Sequence, residues 1–341
     1  AWGSPAKRAY AAPADFLSLN NLFSNDGYSD FAYVDPSAGV LHSVAMKGAV
    51  SLYDQTQAID PSLTVAAFGD LIPGLNALSL KSGEIVLLGS DNRVNIWVST
   101  GTGGYYPFVV SHSVPSTWKL LGTGVDDPSG DQKLVWFDTK TTQIIWWKLD
   151  LDPTTQNDII VTALSQPING VRGATPVLAD ANGDGYTDIV WTRTSDTSVT
   201  LWIADQKRGF VSRRLPDRPA GATLYGVGDM DGNGTTDLVW TDTANAQLSW
   251  WTLDGFNVTA TRSRAIPAGY TLASIGDYDG DGMADLLWRN ASDRLVEWQG
   301  TGKGFAAFKV ADAWGTPLTL GKQVTVPANR FQGGRRVNAA P

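Results

Sequence analysis

The sequence contains no cysteine and only two histidines among its 341 residues. The missing cysteine excludes disulfide bonds, thiolate metal sites and cysteine nucleophiles. With only His42 and His112, there are few candidates for a histidine-based catalytic centre. No apolar run approaches the roughly 18 residues that a membrane-spanning helix needs, so the sequence predicts no transmembrane segment.

A basic charge excess is also missing, because 26 Lys and Arg residues stand against 34 Asp and Glu residues, for a net charge of −8. A nucleic-acid-binding protein normally presents a basic face, so we expect no nucleic-acid partner. Hydrophobic residues make up 43% of the chain and aromatic residues 10%, which indicates a folded globular protein rather than a disordered one.

One motif occurs three times at a nearly constant interval. It reads ADANGDGYTDIVW at 179–191, GDMDGNGTTDLVW at 228–240 and GDYDGDGMADLLW at 276–288. In the second and third copies another tryptophan follows ten residues after the last one, and the first copy has Leu201 and Trp202 at that place. The same interval separates Trp136 from Trp146, and it reveals fainter copies towards the N-terminus. Internal repeats of this length indicate a solenoid or a propeller.

Within each repeat, short β-branched and aromatic runs alternate with Gly, Asp, Asn and Pro, which predicts four short strands. Four strands in every 48 to 55 residues or so, without helical periodicity, are typical of a β-propeller blade. The paired tryptophans then fill the space between neighbouring blades. We therefore predict an all-β fold with one propeller domain over 1–341, whose repeats are 16–64, 65–114, 115–170, 171–220, 221–268 and 269–311.

The number of blades depends on the two ends of the chain. Residues 1–15 and 312–341 lie outside the six repeats and together have about the length of one blade. The N-terminal KRAYAAPADFL also aligns with TRSRAIPAGYT at 261–271, where a fourth strand runs into the next repeat. A blade built from both ends would close the ring and remove exposed sheet edges. We expect seven blades, with six blades and additional tails as the alternative.

The acidic loops of the three strong repeats place oxygen-bearing side chains at loop positions one, three, five and nine. A glycine at position six permits the tight turn, and the carbonyl of position seven can add a further oxygen. These hard oxygen donors favour Ca²⁺ over zinc or copper. An EF-hand is excluded because position twelve is a tryptophan in a strand rather than a glutamate. The sequence thus predicts about three calcium sites, formed by Asp180, Asn182, Asp184, Tyr186 and Asp188, by Asp229, Asp231, Asn233, Thr235 and Asp237, and by Asp277, Asp279, Asp281, Met283 and Asp285.

These motifs resemble the FG-GAP or VCBS repeats of integrin α-chain propellers and of seven-bladed propeller lectins, and most of all those of secreted bacterial VCBS-repeat proteins. In that family, D-x-D-x-D-G-x-x-D loops join the first two strands of a blade and bind Ca²⁺. The resemblance therefore implies that the fifteen residues above hold calcium, with position seven contributing its carbonyl. It is specific in the three acidic loops and weaker elsewhere in the chain.

The resemblance and the composition together favour a secreted recognition module that binds a carbohydrate or another cell-surface ligand. Low-affinity calcium sites fill only in extracellular fluid, and the chain starts without Met or a leader, so we expect a secreted or cell-surface location. Sugar sites need exposed aromatic rings. The candidates outside the blade pattern are Tyr105, Tyr106, Trp118 and Trp314.

Two other functions stay open at this point. The chain could be a structural subunit of an extracellular assembly that binds copies of itself. It could also be a propeller enzyme of the lyase or cyclase type, although no known catalytic motif occurs in the sequence. Besides the histidines, the adjacent Asp126 and Asp127 are the candidates for acid–base chemistry, but neighbouring side chains in a strand point apart. The sequence therefore favours a protein that is not an enzyme.

Overall fold

A computed structural model describes residues 27–72, 83–99, 104–152, 154, 159–168 and 171–318. Within these ranges the chain forms six four-stranded sheets, which are the blades of a β-propeller. None of the described residues belongs to a helix that is long and apolar enough to cross a membrane.

The strands follow one another in chain order around the ring. Blade 1 contains β1 (Phe31–Asp35), β2 (Val40–Lys47), β3 (Val50–Ala58) and β24 (Ala311–Asp312). Blade 2 contains β4 (Thr64–Gly69), β5 (Glu84–Leu88), β6 (Arg93–Ser99) and β7 (Tyr105–Ser113), and blade 3 contains β8 (Trp118–Gly124), β9 (Lys133–Asp138), β10 (Gln143–Leu151) and β11 (Ile159–Pro167). Blade 4 contains β12 (Ala174–Ala179), β13 (Asp188–Arg193), β14 (Val199–Ala204) and β15 (Phe210–Arg214). Blade 5 contains β16 (Thr223–Gly228), β17 (Asp237–Asp242), β18 (Gln247–Asp254) and β19 (Asn257–Ala265), and blade 6 contains β20 (Tyr270–Gly276), β21 (Asp285–Asn290), β22 (Leu295–Gly300) and β23 (Phe305–Lys309).

Blades 2 to 6 are antiparallel meanders in which each strand pairs with the next one along the chain. The second strands are apolar on both faces because each lies between two neighbouring blades; β17, for example, is buried along almost its whole length. The fourth strands lie at the perimeter, and β19 alternates between exposed and half-buried residues. Burial therefore falls from the second strand outwards, as expected where only the outer edge of a sheet meets water.

The tryptophans fill the space between strands and blades, as the sequence indicates. The indole of Trp240 lies 5.0 Å from that of Trp251, and Trp288 lies 4.8 Å from Trp298, measured between ring centroids. Trp240 and Trp288 are almost completely buried. Tilted aromatic pairs of this kind add about 0.5–1.5 kcal/mol beyond the burial of their surface. The paired tryptophans are therefore packing residues of the core.

The ring closes with six blades, so the prediction of seven is wrong and its six-blade alternative is confirmed. Blade 6 lies directly against blade 1: the Ser29 N–H donates to the Asp277 carbonyl (2.8 Å), and the Gly48 N–H donates to the Tyr278 carbonyl (2.6 Å). Tyr278 and Leu287 also share a buried cluster with Phe31, Tyr33, Val44 and other apolar residues. This direct contact leaves no space for a further blade.

After blade 6 the chain crosses to blade 1, where β24 pairs in parallel with the beginning of β3 through Ala311 and Asp312. The blade that we predicted from 1–15 and 312–341 falls, apart from 312–318, outside the described residues. Its few described residues extend blade 1 at its outer edge instead of forming a new sheet.

Candidate metal centres

The three acidic loops connect the first and second strands of blades 4, 5 and 6. In each loop the glycine at position six has a positive φ, which is 83° at Gly185, 83° at Gly234 and 89° at Gly282. A side chain with a Cβ rarely adopts this backbone conformation, so glycine is required for the chain to fold back on itself. Position four is a second glycine with positive φ in all three loops.

The aspartate at position one stabilises this turn by accepting hydrogen bonds from backbone N–H groups of the same loop. In blade 6, Asp277 Oδ1 accepts the N–H of Gly280 (2.7 Å) and Oδ2 accepts the N–H of Gly282 (3.0 Å). Asp229 accepts the corresponding N–H groups of blade 5 at 2.7 and 2.8 Å. One carboxylate thus fixes several backbone amides, and the loop curls around it.

The aspartate at position nine links the loop to the third strand of its blade. Asp285 Oδ2 accepts the Tyr278 N–H (2.8 Å), and its Oδ1 accepts the Gly300 N–H (2.7 Å) at the end of β22. Asp237 and Asp188 make the same pair of bonds at 2.7 to 2.8 Å. Asp188, Asp237 and Asp285 are all fully buried, so each loop has a carboxylate beneath it that water cannot reach.

The side chain at position five of each loop binds the backbone of position seven. The side-chain oxygen of position five accepts the backbone N–H of position seven, in the pairs Asp184 with Tyr186 (2.9 Å), Asn233 with Thr235 (2.7 Å) and Asp281 with Met283 (2.8 Å). These bonds hold the backbone of position seven close to the side chain of position five. That the carbonyl of position seven ligates a cation remains a prediction.

The carboxylates converge in two of the loops. One oxygen from each of Asp229, Asp231 and Asp237 lies within 4.8 Å of the others, and the same holds for Asp277, Asp279 and Asp285. Calcium–oxygen distances are about 2.3–2.6 Å, so oxygens that share one ion must lie within roughly 5 Å of each other. The spacing of these oxygens and their chemistry therefore fit a single Ca²⁺ in each loop.

The loop of blade 4 has the same backbone course but an amide at position three. Asn182 Nδ2 donates to Asp184 Oδ2 (3.1 Å), and Gln206 from the next turn donates to the same oxygen (3.1 Å). Asp180 and Asp188 keep the roles of positions one and nine. This loop has three carboxylates, Asp180, Asp184 and Asp188, and that it binds a cation remains a prediction.

Burial makes the carboxyl groups at positions one and nine of these loops weak acids. It raises the pKa of Asp237 and of Asp285 to about 9, and neighbouring aspartates add to the rise. The pKa of Asp188 is also raised, chiefly by burial. At position one, burial raises the pKa of Asp180 to about 7 and those of Asp229 and Asp277 to about 6. Without a cation these sites favour protons, and a divalent ion would take the place of those protons.

The acidic loops also connect one blade to the next. The position-eight N–H of Thr236 donates to the Asp180 carbonyl (2.8 Å), and that of Ala284 donates to the Asp229 carbonyl (2.6 Å). Ser29 makes the same bond to Asp277 across the closing seam. A cation that fixes one loop would therefore also stabilise the contact with its neighbour.

Blade 3 has a lysine where blades 4 to 6 have the buried aspartate. Lys133 begins the second strand and pairs with Gly124, as Asp188 pairs with Ala179 in blade 4. Its Nζ lies 2.5 Å from Asp126 Oδ1 and 2.8 Å from Asp127 Oδ2, and its side chain is only 1% exposed. An ammonium group thus neutralises the acidic loop from within the protein. Sequence reasoning missed Lys133, although a lysine at position nine behind two aspartates was visible.

The aromatic candidates for ligand binding separate into buried and exposed side chains. Tyr105 is 4% exposed, and Trp118 is half-buried against Trp136 and Trp147. Tyr106 is 61% exposed and Trp314 is 92% exposed. Of the four aromatic side chains, Tyr106 and Trp314 are the ones a ligand in solution can reach.

The candidates for acid–base chemistry are engaged in other contacts. His42 Nδ1 lies 2.9 Å from Asp54 Oδ2, and the imidazole stacks on Tyr33 at 4.5 Å. Asp127, which binds Lys133, is partly buried, but hydrogen bonds from Lys133 and Ser129 outweigh that burial and hold its pKa well below the usual range. The side chain of His112 lies outside the described residues.

Comparison with known proteins agrees with this geometry. Residues 180–240 and 229–288 each match the model of the FG-GAP-like repeat, from one acidic loop to the tryptophan that ends the next. No curated protein matches the sequence significantly.

Similar solved structures include the Tc holotoxin pore of Photorhabdus luminescens, with 17% identity and a TM-score of 0.50 over 88% of this chain. This chain spans 15% of that toxin chain. AofleA from Arthrobotrys oligospora is 11% identical, with a TM-score of 0.49 over 90% of both chains. The match to the toxin chain, at 17% identity, supports the fold alone.

The two matches confirm the resemblance that the acidic loops indicate, and they cover the part of the chain in which those loops lie. This fold supports a recognition or structural module. Residues 180–288 are FG-GAP-like repeats, and the chain is a six-bladed β-propeller that carries them in blades 4, 5 and 6.

Proposed function

We propose that the loops of blades 4, 5 and 6 bind three calcium ions and that the calcium-stabilised propeller is a secreted, carbohydrate-binding recognition module. The observation that carries the calcium sites is the convergence of Asp229, Asp231 and Asp237, and of Asp277, Asp279 and Asp285, within 4.8 Å. Buried carboxylates at this spacing repel each other unless protons or a cation neutralise them.

Calorimetric titration tests the calcium sites. The wild-type protein, stripped with EDTA and dialysed, should bind about three Ca²⁺ ions. Asp237→Asn and Asp285→Asn should each remove one ion, because an amide keeps the shape of the carboxylate and one of its two hydrogen-bond acceptors but not its charge. Exposed Asp91→Asn, which removes one acidic charge from blade 2, is the control and should leave the stoichiometry unchanged. A wild type that binds no calcium would overturn the proposal.

The proposed recognition role is supported by an exposed aromatic residue at the end of the propeller where the acidic loops lie. Because successive strands of a blade run in opposite directions, the loop between strands one and two shares an end with the loop between strands three and four. Tyr106 is the second residue of the fourth strand of blade 2, which follows such a loop, so its exposed ring lies at the same end as the acidic loops. An exposed tyrosine supplies the apolar face and the hydroxyl that sugar binding uses.

A glycan array, run in calcium and again in EDTA, tests this role. We expect binding to a defined set of sugars, its loss in EDTA, and its loss in Tyr106→Ala. Val211→Ala, which removes another exposed apolar side chain from the perimeter of blade 4, is the matched control. Absence of binding by a protein that is folded in calcium would contradict the carbohydrate role.

The proposed location depends on the affinity for calcium. Loops of this kind with Kd on the order of 10⁻⁴ to 10⁻³ M fill in extracellular fluid but not in a cytosol, so calorimetry also tests secretion. A Kd on the order of 10⁻⁷ M would remove that argument.

One observation favours the alternative role as a subunit of an extracellular assembly. Val50, Leu52 and Tyr53 on β3 are each about 40% exposed (39%, 40% and 37%), and Trp314 lies beyond the short strand β24 that pairs with β3. Exposed apolar groups beside a strand edge are typical of surfaces that bind protein. Light scattering after size exclusion would show oligomers that Trp314→Ala dissociates, whereas a monomer at all concentrations would exclude self-assembly.

A further inference from the structure

The cation site of blade 6 differs from its two counterparts by one buried residue. Glu297 on β22 pairs with Leu287, two residues beyond Asp285. The residues at the same register in blades 5 and 4 are Trp250, which pairs with Val239, and Leu201, which pairs with Val190. A carboxylate therefore occupies a position that is apolar in the other two blades.

Glu297 is fully buried, and only one of its two carboxylate oxygens forms a hydrogen bond with the described residues. Its Oε1 accepts a hydrogen bond from Gln299 Nε2 at 2.9 Å. Its Oε2 is buried and has no hydrogen-bond partner among the described residues. Because a buried carboxylate is costly unless it is paired, an unpartnered oxygen at this depth indicates a missing proton, water or cation.

Geometry directs Glu297 towards the acidic loop. Side chains alternate along a strand, so Glu297 and Gln299 lie on one face of the blade together with Leu287 and Asp285. This face packs against blade 1, where Gln299 Nε2 and Asp279 Cβ both lie within 4 Å of the point that a Cβ on Gly48 would occupy. The negative charges of Asp279 and Asp277 also raise the pKa of Glu297, in addition to the effect of its burial.

The three sites therefore differ in charge. Blades 4 and 5 each offer three carboxylates to their loop, whereas blade 6 offers five, namely Asp277, Asp279, Asp281, Asp285 and Glu297. The number of charged ligands is one of the main determinants of calcium affinity in oxygen-donor sites. Blade 6 also forms the closing seam with blade 1, through Ser29 and Gly48.

We propose that Glu297 is a further acidic group of the blade 6 cation site and that this site, at the closing seam, fills with calcium before those of blades 4 and 5. The inference rests on the proposed calcium function. Calcium at this position neutralises a carboxylate that has no other cation beside it in the described part of the chain, and it fixes the loop whose backbone joins the last blade to the first.

Calcium titration of Glu297→Gln tests the inference. The wild type should show one tight and two weaker sites, and the variant should weaken the tight site on the order of tenfold, as expected for the loss of a nearby charge. Glu297→Asp, which keeps the charge, should weaken it less than Glu297→Gln. Glu84→Gln, which removes a buried glutamate from blade 2, is the matched control and should change no calcium affinity.

Variants of the loops assign the tight site to a blade. Asp285→Asn should abolish it, and Glu297→Gln should then have no further effect, whereas in Asp237→Asn the tight site and its response to Glu297→Gln should persist. Calcium binding that Glu297→Gln leaves unchanged would overturn this inference alone. A wild type without calcium binding would overturn the proposed function as well. If Glu297→Gln does not fold, loss of the tight site in Asp237→Asn but not in Asp285→Asn would overturn the order of filling.

Discussion

Blade 3 and blades 4 to 6 neutralise the same acidic loop in two different ways. In blade 3 the cation is the ammonium group of Lys133, which contacts Asp126 and Asp127 and forms part of the fold. In blades 4 to 6 a carboxylate takes the place of Lys133, and the loop has an excess of negative charge. The turn between the first two strands can therefore be stabilised by a built-in charge or by an ion from solution.

The difference has a consequence for stability. A lysine is present under all conditions, whereas an ion stabilises the fold only in proportion to its concentration. Blade 3 should keep its structure when calcium is absent, and blades 4 to 6 should depend on it. Four measurements test this contrast.

Removing calcium should have the largest effect. At a calcium concentration 100 times Kd, each site adds about 2.7 kcal/mol to the free energy of unfolding, or about 8 kcal/mol for three independent sites. Urea unfolding in calcium and in EDTA measures the sum. Hydrogen exchange followed by mass spectrometry should show faster exchange in EDTA at 180–188, 229–237 and 277–285 but not at 126–132. Equal acceleration in all four segments would contradict the contrast between the blades.

Replacing the built-in cation should have the next largest effect. Lys133→Met leaves Asp126 and Asp127 without their ammonium partner, and loss of one member of a buried ion pair costs about 3–5 kcal/mol. The loss should be the same in calcium and in EDTA. Lys148→Met is the matched control, because Lys148 binds Asp150 in an ion pair that is 37% and 43% exposed, which is worth about 0–1 kcal/mol. A loss below 1 kcal/mol for Lys133→Met would show that the ammonium group is not required.

The repeats, the strands and the acidic loops could be predicted from the sequence, because each depends on local spacing. Gly185, Gly234 and Gly282 have the positive φ that the turns require. Trp288 contacts Trp298 at the predicted spacing of ten residues, whereas Trp240 contacts Trp251, which follows eleven residues later. These features are repeated, so each copy supports the interpretation of the others.

The number of blades and the role of Lys133 could not be predicted in the same way. The seam between blade 6 and blade 1 depends on contacts such as Ser29 with Asp277, which lie 248 residues apart in the sequence. Lys133 and Glu297 each occur once, so no repeat indicates what they do. The pairing register shows that Lys133 replaces an aspartate, which its place at position nine of the loop also indicates, and that Glu297 replaces a tryptophan or a leucine.

The third measurement concerns blade 2, where Glu84 occupies the place of Lys133 and pairs with Gly69. Burial, with a contribution from the charge of Asp70, raises the pKa of Glu84 from 4.5 to about 8, and its Oε2 accepts the Leu71 N–H. Because the folded-state pKa is the higher one, the proton stabilises the fold fully below pH 4.5. This contribution is lost as the pH rises towards 8, at up to about 1.4 kcal/mol per pH unit.

Glu84→Gln should therefore reduce the loss of stability between pH 5 and pH 8. The test is the slope of the unfolding free energy against pH, since the buried amide changes the absolute stability for other reasons. Both proteins should be measured in EDTA, and Asp91→Asn, an exposed charge in the same blade, should leave the slope unchanged. Identical slopes for Glu84→Gln and wild type would show that Glu84 does not bind a proton in this range.

The smallest effect should come from Arg208, the second cation near the blade 3 loop. It reaches across from blade 4 and lies 3.2 Å from Asp127 Oδ2, but its side chain is 51% exposed. Arg208→Ala should cost less than about 1 kcal/mol and less still at high salt, because an exposed ion pair is screened. Alanine is the suitable substitution, since φ at Arg208 is 67° and glycine would add a backbone effect of its own.

Combining Arg208→Ala with Lys133→Met makes this measurement decisive. Once the ammonium group is gone, Asp126 and Asp127 keep Arg208 as a neighbouring cation, so its removal should cost more in the Lys133→Met protein than in the wild type. A double-mutant cycle measures that difference directly. Additive losses would mean that Lys133 and Arg208 act independently on the acidic loop of blade 3.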